Sequence, residues 1–256
     1  MRLVLLGAGR MGQAVADEAS GRGHDVADVL GRAELEGLDT SALAGKLGGA
    51  DAAIDFTVAG QVGRSVAAAA EAGVRLIVGT TGWSDDADAV LAPARRTGLG
   101  LVHGPNFSVG VHVFARIVRE AARLIDPVDD YDVYLREEHH RHKVDHPSGT
   151  ARRLADLLVE GVGRKTSWSA ELHDGRAHDP AVLQVGSVRS GEIPGTHVVG
   201  LEGPHDAIEL RHTARSRAGF AHGAVWAAEW VQGRTGIHTF EDALDQVLGA
   251  GEHDRA

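Results

Sequence analysis

The chain has 256 residues, a formal net charge of −10 and 43% hydrophobic residues, enough for one large domain or two modest ones around a buried core. The acidic balance argues against general nucleic-acid binding, and the lack of cysteine excludes disulfides, thiolate metal ligands and a cysteine nucleophile. No apolar run approaches the roughly 20 residues of a membrane span and the N-terminus has no signal-peptide pattern, so we expect a cytoplasmic protein that binds neither nucleic acid nor membranes.

Short apolar segments alternate with helical segments over the first hundred residues. The pattern predicts strands at residues 2–6, 26–30, 52–57, 75–78 and 99–103. It predicts helices at residues 11–19, 62–72 and 85–96. This alternation is typical of a parallel sheet with helices on both faces.

The pattern changes after Pro105. Helices are predicted at residues 109–124, 150–160, 222–232 and 239–248, and strands at residues 131–135, 182–190, 197–201 and 207–213. Strands in succession indicate a separate α+β unit with an open, mixed or antiparallel sheet. The last two helices are expected to return to the first sheet and cover it.

A glycine-rich loop follows the first strand and opens the first helix. Its sequence, Gly7-Ala8-Gly9-Arg10-Met11-Gly12, matches the dinucleotide-binding fingerprint. In that motif the first glycine makes the turn, the second admits the pyrophosphate, and the third lets helix and strand pack closely. The alternative is a plain strand-to-helix turn, and the position between a strand and a helix favours the cofactor site.

The end of the second strand predicts which nicotinamide cofactor is used. An acidic residue there binds the ribose of NAD, whereas an arginine favours the 2′-phosphate of NADP. This chain has Gly31-Arg32, and Asp28 comes too early to reach the ribose. We therefore expect NADPH to be accepted at least as well as NADH, the alternative being that Arg32 is an ordinary surface charge.

Four of the fifteen histidines lie within eight residues, at positions 139, 140, 142 and 146. A metal site is one interpretation, since imidazole binds zinc, nickel and copper. However, adjacent residues of an extended segment, such as His139 and His140, point to opposite sides, and the pattern implies no acidic third ligand. We therefore predict no metal. A solvated loop is the other interpretation, and it leaves the helix signal that follows unexplained.

That helix signal predicts an anion site. Ser148 is a favourable N-cap directly before an apolar-periodic helix, so the free N–H groups of Gly149 and Thr150 would face an anion. Lys143 and the histidines supply protons, while a nicotinamide supplies a hydride but not the matching proton. Together these features favour reduction of a C=N or C=C bond in an acidic metabolite.

Five segments resemble the dihydrodipicolinate reductase family. They are the glycine loop, Asp55-Phe56-Thr57, Gly79-Thr80-Thr81-Gly82, residues 105–111 (Pro-Asn-Phe-Ser-Val-Gly-Val), and residues 138–151 with the pattern Glu-x-x-Arg-His-Lys-x-Asp-x-Pro-Ser-Gly-Thr-Ala. Residues 209–224 resemble the closing motif of that family. The histidine–lysine segment is the most specific of these, and the resemblance runs from about residue 2 to about residue 230.

The resemblance implies a Rossmann-type dinucleotide-binding domain formed by residues 1–108 and 218–256, and a central α+β domain of residues 109–217 that binds substrate and forms a homotetramer. It implies that His139 donates or accepts a proton, that Lys143 donates one, and that His140, Gly149 and Thr150 bind the carboxylates of a small dicarboxylate substrate. Besides the glycine loop, the cofactor would lie against residues of two further loops: Gly79, Thr80, Thr81, Gly104, Pro105, Asn106 and Phe107. Hydride transfer from NADH or NADPH, after loss of water, would give tetrahydrodipicolinate.

Two departures and two rival functions accompany this resemblance. Val58-Ala59 replaces a basic residue and a proline that often follow Asp-Phe-Thr in the family, and Gly31 replaces a frequent acid.

The first rival function is that of an aspartate or homoserine dehydrogenase, which would lack the histidine–lysine segment. A nucleotide-sensing protein without catalysis would be expected to lose His139 and Lys143. We also expect Phe107 and Lys143 to serve the site, not the core or the surface.

Overall fold

The structure is a computed structural model that describes residues 1–171, 175 and 177–249. The chain divides into two compact units, one made of residues up to Val109 and from Arg217 onward, the other of Gly110–Ser216. The domain boundaries predicted from the sequence lie after residues 108 and 217. The roles assigned to the two parts stay predictions.

The first unit is built on a parallel sheet. Its strands are β1 (Arg2–Leu6), β2 (Asp25–Leu30), β3 (Ala52–Asp55), β4 (Arg75–Val78), β5 (Leu101–His103) and β11 (Ile237–Thr239). They run in the order β11-β5-β4-β3-β1-β2, and the neighbours pair in parallel. The carboxyl ends of these strands form the sheet edge at which such folds bind their ligands.

Helices cover both faces of this sheet because successive strand residues point to opposite sides. The helices are α1 (Arg10–Gly21), α2 (Arg32–Glu36), α3 (Thr40–Leu47), α4 (Ala59–Ala72), α5 (Ala87–Thr97), α8 (Ala218–Trp230) and α9 (Phe240–Gly249). Leu3 and Leu5 of β1 enter the core that contains residues of α1, α8 and α9. Val4 and Leu6 enter the core that contains residues of α2 to α5.

The second unit packs two helices on one face of a mixed sheet. Its elements are α6 (Val109–Ile125), β6 (Asp132–His139), α7 (Gly149–Gly161), β7 (Ser167–Ser169), β8 (Val182–Arg189), β9 (Thr196–Glu202) and β10 (Ala207–Thr213). The strand order is β10-β9-β6-β8-β7. Strand β9 is antiparallel to both of its neighbours, whereas β8 is parallel to β6 and β7. Val118 and Leu158 are among the buried core residues that α6 and α7 supply.

The predicted fold class, an α/β protein with a Rossmann-type sheet and a second domain with a mixed sheet, is confirmed. Four short elements were not predicted: α2, α3, β7 and β11, of three to eight residues each. Strand β6 was predicted to end at Leu135 but continues to His139, because neighbouring strands pair with its polar end. Among the described residues, no helix combines the length and apolarity needed to cross a membrane.

Candidate active site

The glycine loop between β1 and α1 has the close packing that its motif predicts. Gly7 adopts a φ of +106°, and a Cβ on it would lie 2.4 Å from the carbonyl oxygen of Phe56. A Cβ on Gly12 would lie 1.8 Å from the carbonyl oxygen of Gly7. By contrast, a Cβ on Gly9 would meet nothing within 4 Å. The loop is therefore tightly packed at its first and third glycines and open at the second, where a pyrophosphate would approach.

A cavity of about 560 Å³ adjoins this loop. Gly7, Ala8, Gly9 and Arg32 line it together with Phe56, Thr57, Gln61 and Arg64. The Arg32 side chain is 77% exposed, and its Nε lies 3.9 Å from a carboxylate oxygen of Glu36. Glu34 accepts a hydrogen bond from the N–H of Gly31 at 2.7 Å, so this carboxylate is held by the main chain at the end of β2. The exposed Arg10 and the partly buried Met11 begin α1 beside the loop.

A buried carboxylate joins the loops that follow β3 and β4. Asp55 is fully buried, and its Oδ1 accepts hydrogen bonds from the Thr57 N–H, the Thr57 hydroxyl and the Thr80 hydroxyl at 2.7–2.9 Å. A Cβ on Gly79 would lie 2.2 Å from the Phe56 ring, so only glycine fits there. Thr81, the next residue of the loop, is exposed. The contact of Gly79, Thr80 and Thr81 with a cofactor stays a prediction.

The loop after β5 contains both exposed and buried residues. Pro105 is exposed, and the side chain of Asn106 accepts a hydrogen bond from the N–H of Ser108 at 2.8 Å. A Cβ on Gly104 would lie 3.1 Å from the Cβ of Phe240. Phe107 is 1% exposed and its ring centroid lies 4.6 Å from that of Phe240. The prediction that Phe107 is not a core residue is therefore wrong, because its ring is needed to fill the space against α9.

In the second unit, a line of inward-facing residues on β6 changes from apolar to ionisable. Val133 and Leu135 are buried in the core, and Glu137 and His139 continue the same face with exposures of 0% and 8%. Strand register sets Glu137 opposite His197 on β9, and His139 opposite Arg189 on β8. One buried carboxylate is thereby surrounded by imidazole and guanidinium groups from three strands.

Glu137 is the centre of this group. One carboxylate oxygen is hydrogen-bonded to Nδ1 of His139. The other accepts hydrogen bonds from Nη2 of Arg189 at 2.7 Å and from the N–H of Ser148 at 3.3 Å. Burial by itself would raise the pKa of Glu137, but the hydrogen bonds from His139 and Arg189 lower this pKa to about 2. The carboxylate is therefore ionised at neutral pH.

Whereas Glu137 is held in its charged form, His197 is held in its uncharged form. It is 4% exposed, and its ring centroid lies 5.3 Å from that of His139. Burial lowers the pKa of His197 to about 4, and the neighbouring His139 contributes in the same direction. At neutral pH His197 is therefore uncharged, and His139 is the ring bonded directly to the carboxylate.

The segment after β6 carries the other predicted site residues. His140, directly after β6, is half-buried. The Lys143 side chain is 25% exposed, with Nζ 2.7 Å from a carboxylate oxygen of Asp145. The other oxygen of Asp145 accepts a hydrogen bond from the N–H of Gly149 at 3.3 Å. The N–H of Gly149 was expected to be free, and that expectation is wrong, because Asp145 already provides the carboxylate.

Ser148 caps helix α7 as predicted, its hydroxyl accepting a hydrogen bond from the N–H of Ala151 at 3.2 Å. Thr150 lies in the first turn of the helix. Thus the structure brings Lys143, Gly149 and Thr150 together around the start of α7, and it leaves His142 at the surface near Glu192.

The three side chains Glu137, His139 and His197 have potential ligand atoms within 4.8 Å of one another, a set that a metal ion can use. However, Arg189 lies against the same carboxylate, and its fixed positive charge opposes a second cation there. The arrangement favours a hydrogen-bonded ionic group over a metal centre, and the absence of a metal from the site stays a prediction.

Two family models match this chain. One, described as the N-terminus of dihydrodipicolinate reductase, matches residues 1–107, and the other, described as the C-terminus of dihydrodipicolinate reductase, matches residues 110–244. This chain belongs to the dihydrodipicolinate reductase family. The resemblance predicted from the sequence motifs is thereby confirmed.

Relatives and structural neighbours agree with this membership. Proteins named 4-hydroxy-tetrahydrodipicolinate reductase include one from Christiangramia forsetii, 34% identical over 97% of this chain and 99% of its own length, and one from Methanosarcina barkeri, 44% identical over 76% and 73%. The dipicolinate-bound dihydrodipicolinate reductase from Paenisporosarcina sp. TG-14 shares the fold, with a TM-score of 0.74, 22% identity and coverage of 94% and 98%.

Sequence reasoning missed three residues of the site in this reductase family member: Glu137, Arg189 and His197. A signal for Glu137 was present, since alternation along β6 from Val133 and Leu135 places residue 137 on the buried face. Arg189 and His197 lie 52 and 60 residues beyond Glu137, and only the strand register brings them there. No local pattern could have identified them.

Proposed function

We propose that this chain is a 4-hydroxy-tetrahydrodipicolinate reductase that uses NADPH or NADH. In the reaction the cyclic substrate loses its hydroxyl group as water, which forms a C=C bond conjugated with the C=N bond of the ring. This conjugated system then gains one hydride and one proton to give tetrahydrodipicolinate. A bound nicotinamide supplies the hydride. The chain itself supplies the proton and the groups that hold the carboxylates of the substrate.

The observation that carries this proposal is the position of Asp145. Its carboxylate is held between Nζ of Lys143 and the N–H of Gly149, so the segment after β6 already binds a carboxylate. A helix N-terminus beside an ammonium group favours such an anion. A carboxylate of the substrate would replace Asp145 there, with His140 and Thr150 as further donors, and Lys143 would then be released toward the reacting nitrogen.

Two side chains hold the protons of the proposed reaction. Lys143 donates a proton to the nitrogen that the reduction makes basic. His139, bonded through Nδ1 to Glu137, donates or accepts a proton at its other nitrogen, as the loss of water requires. A binding protein that only senses nucleotides would have no use for this pair.

For the cofactor we propose that NADPH is used at least as well as NADH. The first acid after β2, Glu34, accepts a hydrogen bond from the N–H of Gly31. Arg32 is exposed and lines the cavity beside the glycine loop. A guanidinium there favours a 2′-phosphate, and no acidic side chain at position 31 repels it. The homotetramer and the cytoplasmic location stay predictions from the sequence.

The test is oxidation of NADPH and NADH by the purified protein, with substrate made in place by condensing pyruvate with aspartate semialdehyde. We expect oxidation that depends on the substrate, with kcat/KM for NADPH equal to or above that for NADH. Reactions without aspartate semialdehyde are the control. Absence of oxidation while both nucleotides still bind would contradict the proposal, and would favour a nucleotide-binding protein or a dehydrogenase of another substrate.

A further inference from the structure

We propose that Glu137 is a positioning residue for His139: its buried carboxylate, fixed by Arg189, orients the imidazole and stabilises its protonated form during turnover. This inference deepens the function proposed above and rests on it. Neither the family models nor the names of the relatives assign a role to Glu137 or Arg189.

The geometry leaves the carboxylate of Glu137 one orientation. Arg189 and the N–H of Ser148 hold one oxygen, and Nδ1 of His139 holds the other. Arg189 is itself anchored, because the same Nη2 also donates to the carbonyl oxygen of Asp145 at 2.6 Å. A carboxylate bonded on both oxygens and fully buried cannot rotate away from the imidazole.

The second nitrogen of His139 is left for the reaction. A Cβ on Gly195 would lie 2.9 Å from Nε2 of His139, so the missing side chain at residue 195 keeps this nitrogen clear. Gly195 has a φ of +147°, which residues with a side chain rarely adopt. Nδ1 is therefore assigned to Glu137, and Nε2 is the atom that exchanges the proton.

Charged and titratable groups face His139 from several elements. From its own strand it faces Glu137, from β8 Arg189 and from β9 His197. Lys143 of the following segment acts electrostatically on His197. Beyond His197 lies His212 of β10.

Lys143 is paired with a separate carboxylate, that of Asp145, whereas Arg189 and His139 share the carboxylate of Glu137. Burial keeps His197 uncharged, since its pKa is about 4, and burial also lowers the pKa of His212. Glu137 is the carboxylate in direct contact with His139, the arrangement in which a carboxylate orients a catalytic imidazole and stabilises the imidazolium that forms.

The kinetic test compares Glu137→Gln with Glu138→Gln. The control residue is its neighbour on the same strand, faces the opposite side of the sheet and pairs with Arg136 at 3.3 Å. We expect E137Q to lower kcat about tenfold to a hundredfold, with KM for NADPH within about twofold, and to move the high-pH limb of the kcat/KM profile to lower pH. E138Q should change neither.

Two further variants separate charge from shape. Glu137→Asp keeps the charge on a shorter side chain and should retain more activity than E137Q, which keeps the shape. Normal kcat and an unmoved pH profile in E137Q, with an inactive His139→Gln variant, would overturn the positioning role alone. Normal turnover in H139Q would overturn the proposed role of His139 as well.

A second measurement does not depend on activity or on the folding of E137Q. Nitrogen NMR of histidine-labelled wild-type protein reports which ring nitrogen carries a proton, and comparison with H139Q assigns the signals of His139. We expect a proton on Nδ1 at neutral pH, shifted far downfield by its bond to the carboxylate. An unprotonated Nδ1 in the wild-type protein would overturn the proposal, whether or not the enzyme reduces the proposed substrate.

Discussion

Glu137 should make the free energy of unfolding of this protein fall at low pH, and the substitution Glu137→Gln should remove this contribution. Its pKa is about 2 in the folded chain, against an ordinary value of 4.5. The difference, at about 1.36 kcal/mol per pH unit, corresponds to about 3 kcal/mol of stabilisation of the folded state. Because the folded pKa is the lower one, this stabilisation is complete well above pH 4.5 and is lost as the pH falls toward 2.

The assay is urea unfolding of wild type and Glu137→Gln between pH 7 and pH 3 at one fixed protein concentration. The wild type should exceed E137Q by about 3 kcal/mol at pH 7 and by only about 1 kcal/mol at pH 3, because the unfolded carboxyl group is then mostly protonated. A chain of two units can unfold in more than one transition, so the difference is measured on the transition that E137Q shifts.

The control for this assay is Glu138→Gln, since that side chain is partly exposed on the other face of β6. E138Q should follow the wild type within about 0.5 kcal/mol at each pH, as ordinary surface substitutions do. A difference between wild type and E137Q that stays constant from pH 7 to pH 3 would refute the reasoning. It would mean that this carboxyl group has the same pKa in the folded and the unfolded chain, so that Arg189 and His139 do not stabilise its ionised form.

Three further substitutions test the site. Lys143→Ala should lower kcat by about 10²–10⁴-fold, because the proton donor is lost. The control is Lys46→Ala, which changes an exposed lysine of the first unit and should leave kcat unchanged. Similar kcat values for the two variants would remove Lys143 from the mechanism. Arg32→Asp should raise KM for NADPH far more than KM for NADH, since the new carboxylate repels the 2′-phosphate. Steady-state kinetics measure the two KM values, and an equal rise in both would disprove the proposed role of Arg32. Ser148→Ala should lower the free energy of unfolding by about 1 kcal/mol, the usual value of an N-cap, measured by urea unfolding; a change below about 0.3 kcal/mol would show that the cap contributes little here.

Local sequence patterns were sufficient for much of the fold. Alternation of apolar segments with helical periodicity predicted the parallel sheet and its long helices, and strand β4 was predicted with its observed bounds. The elements missed, such as α2 and β11, are short. Three to five residues contain too little of a period to distinguish a helix or strand from a loop.

By itself the sequence determined the features that depend on neighbouring residues: the glycine loop, the Ser148 cap of α7 and the family-specific segment with His139 and Lys143. Tertiary structure decided which groups meet at the site. Glu137 and Glu138 are adjacent and chemically identical in the sequence, yet the pleat of β6 buries one and leaves the other partly exposed. The register of β6 with β8 and β9 then brings Arg189 and His197 to Glu137, because hydrogen-bonded strands make residues neighbours regardless of their separation along the chain.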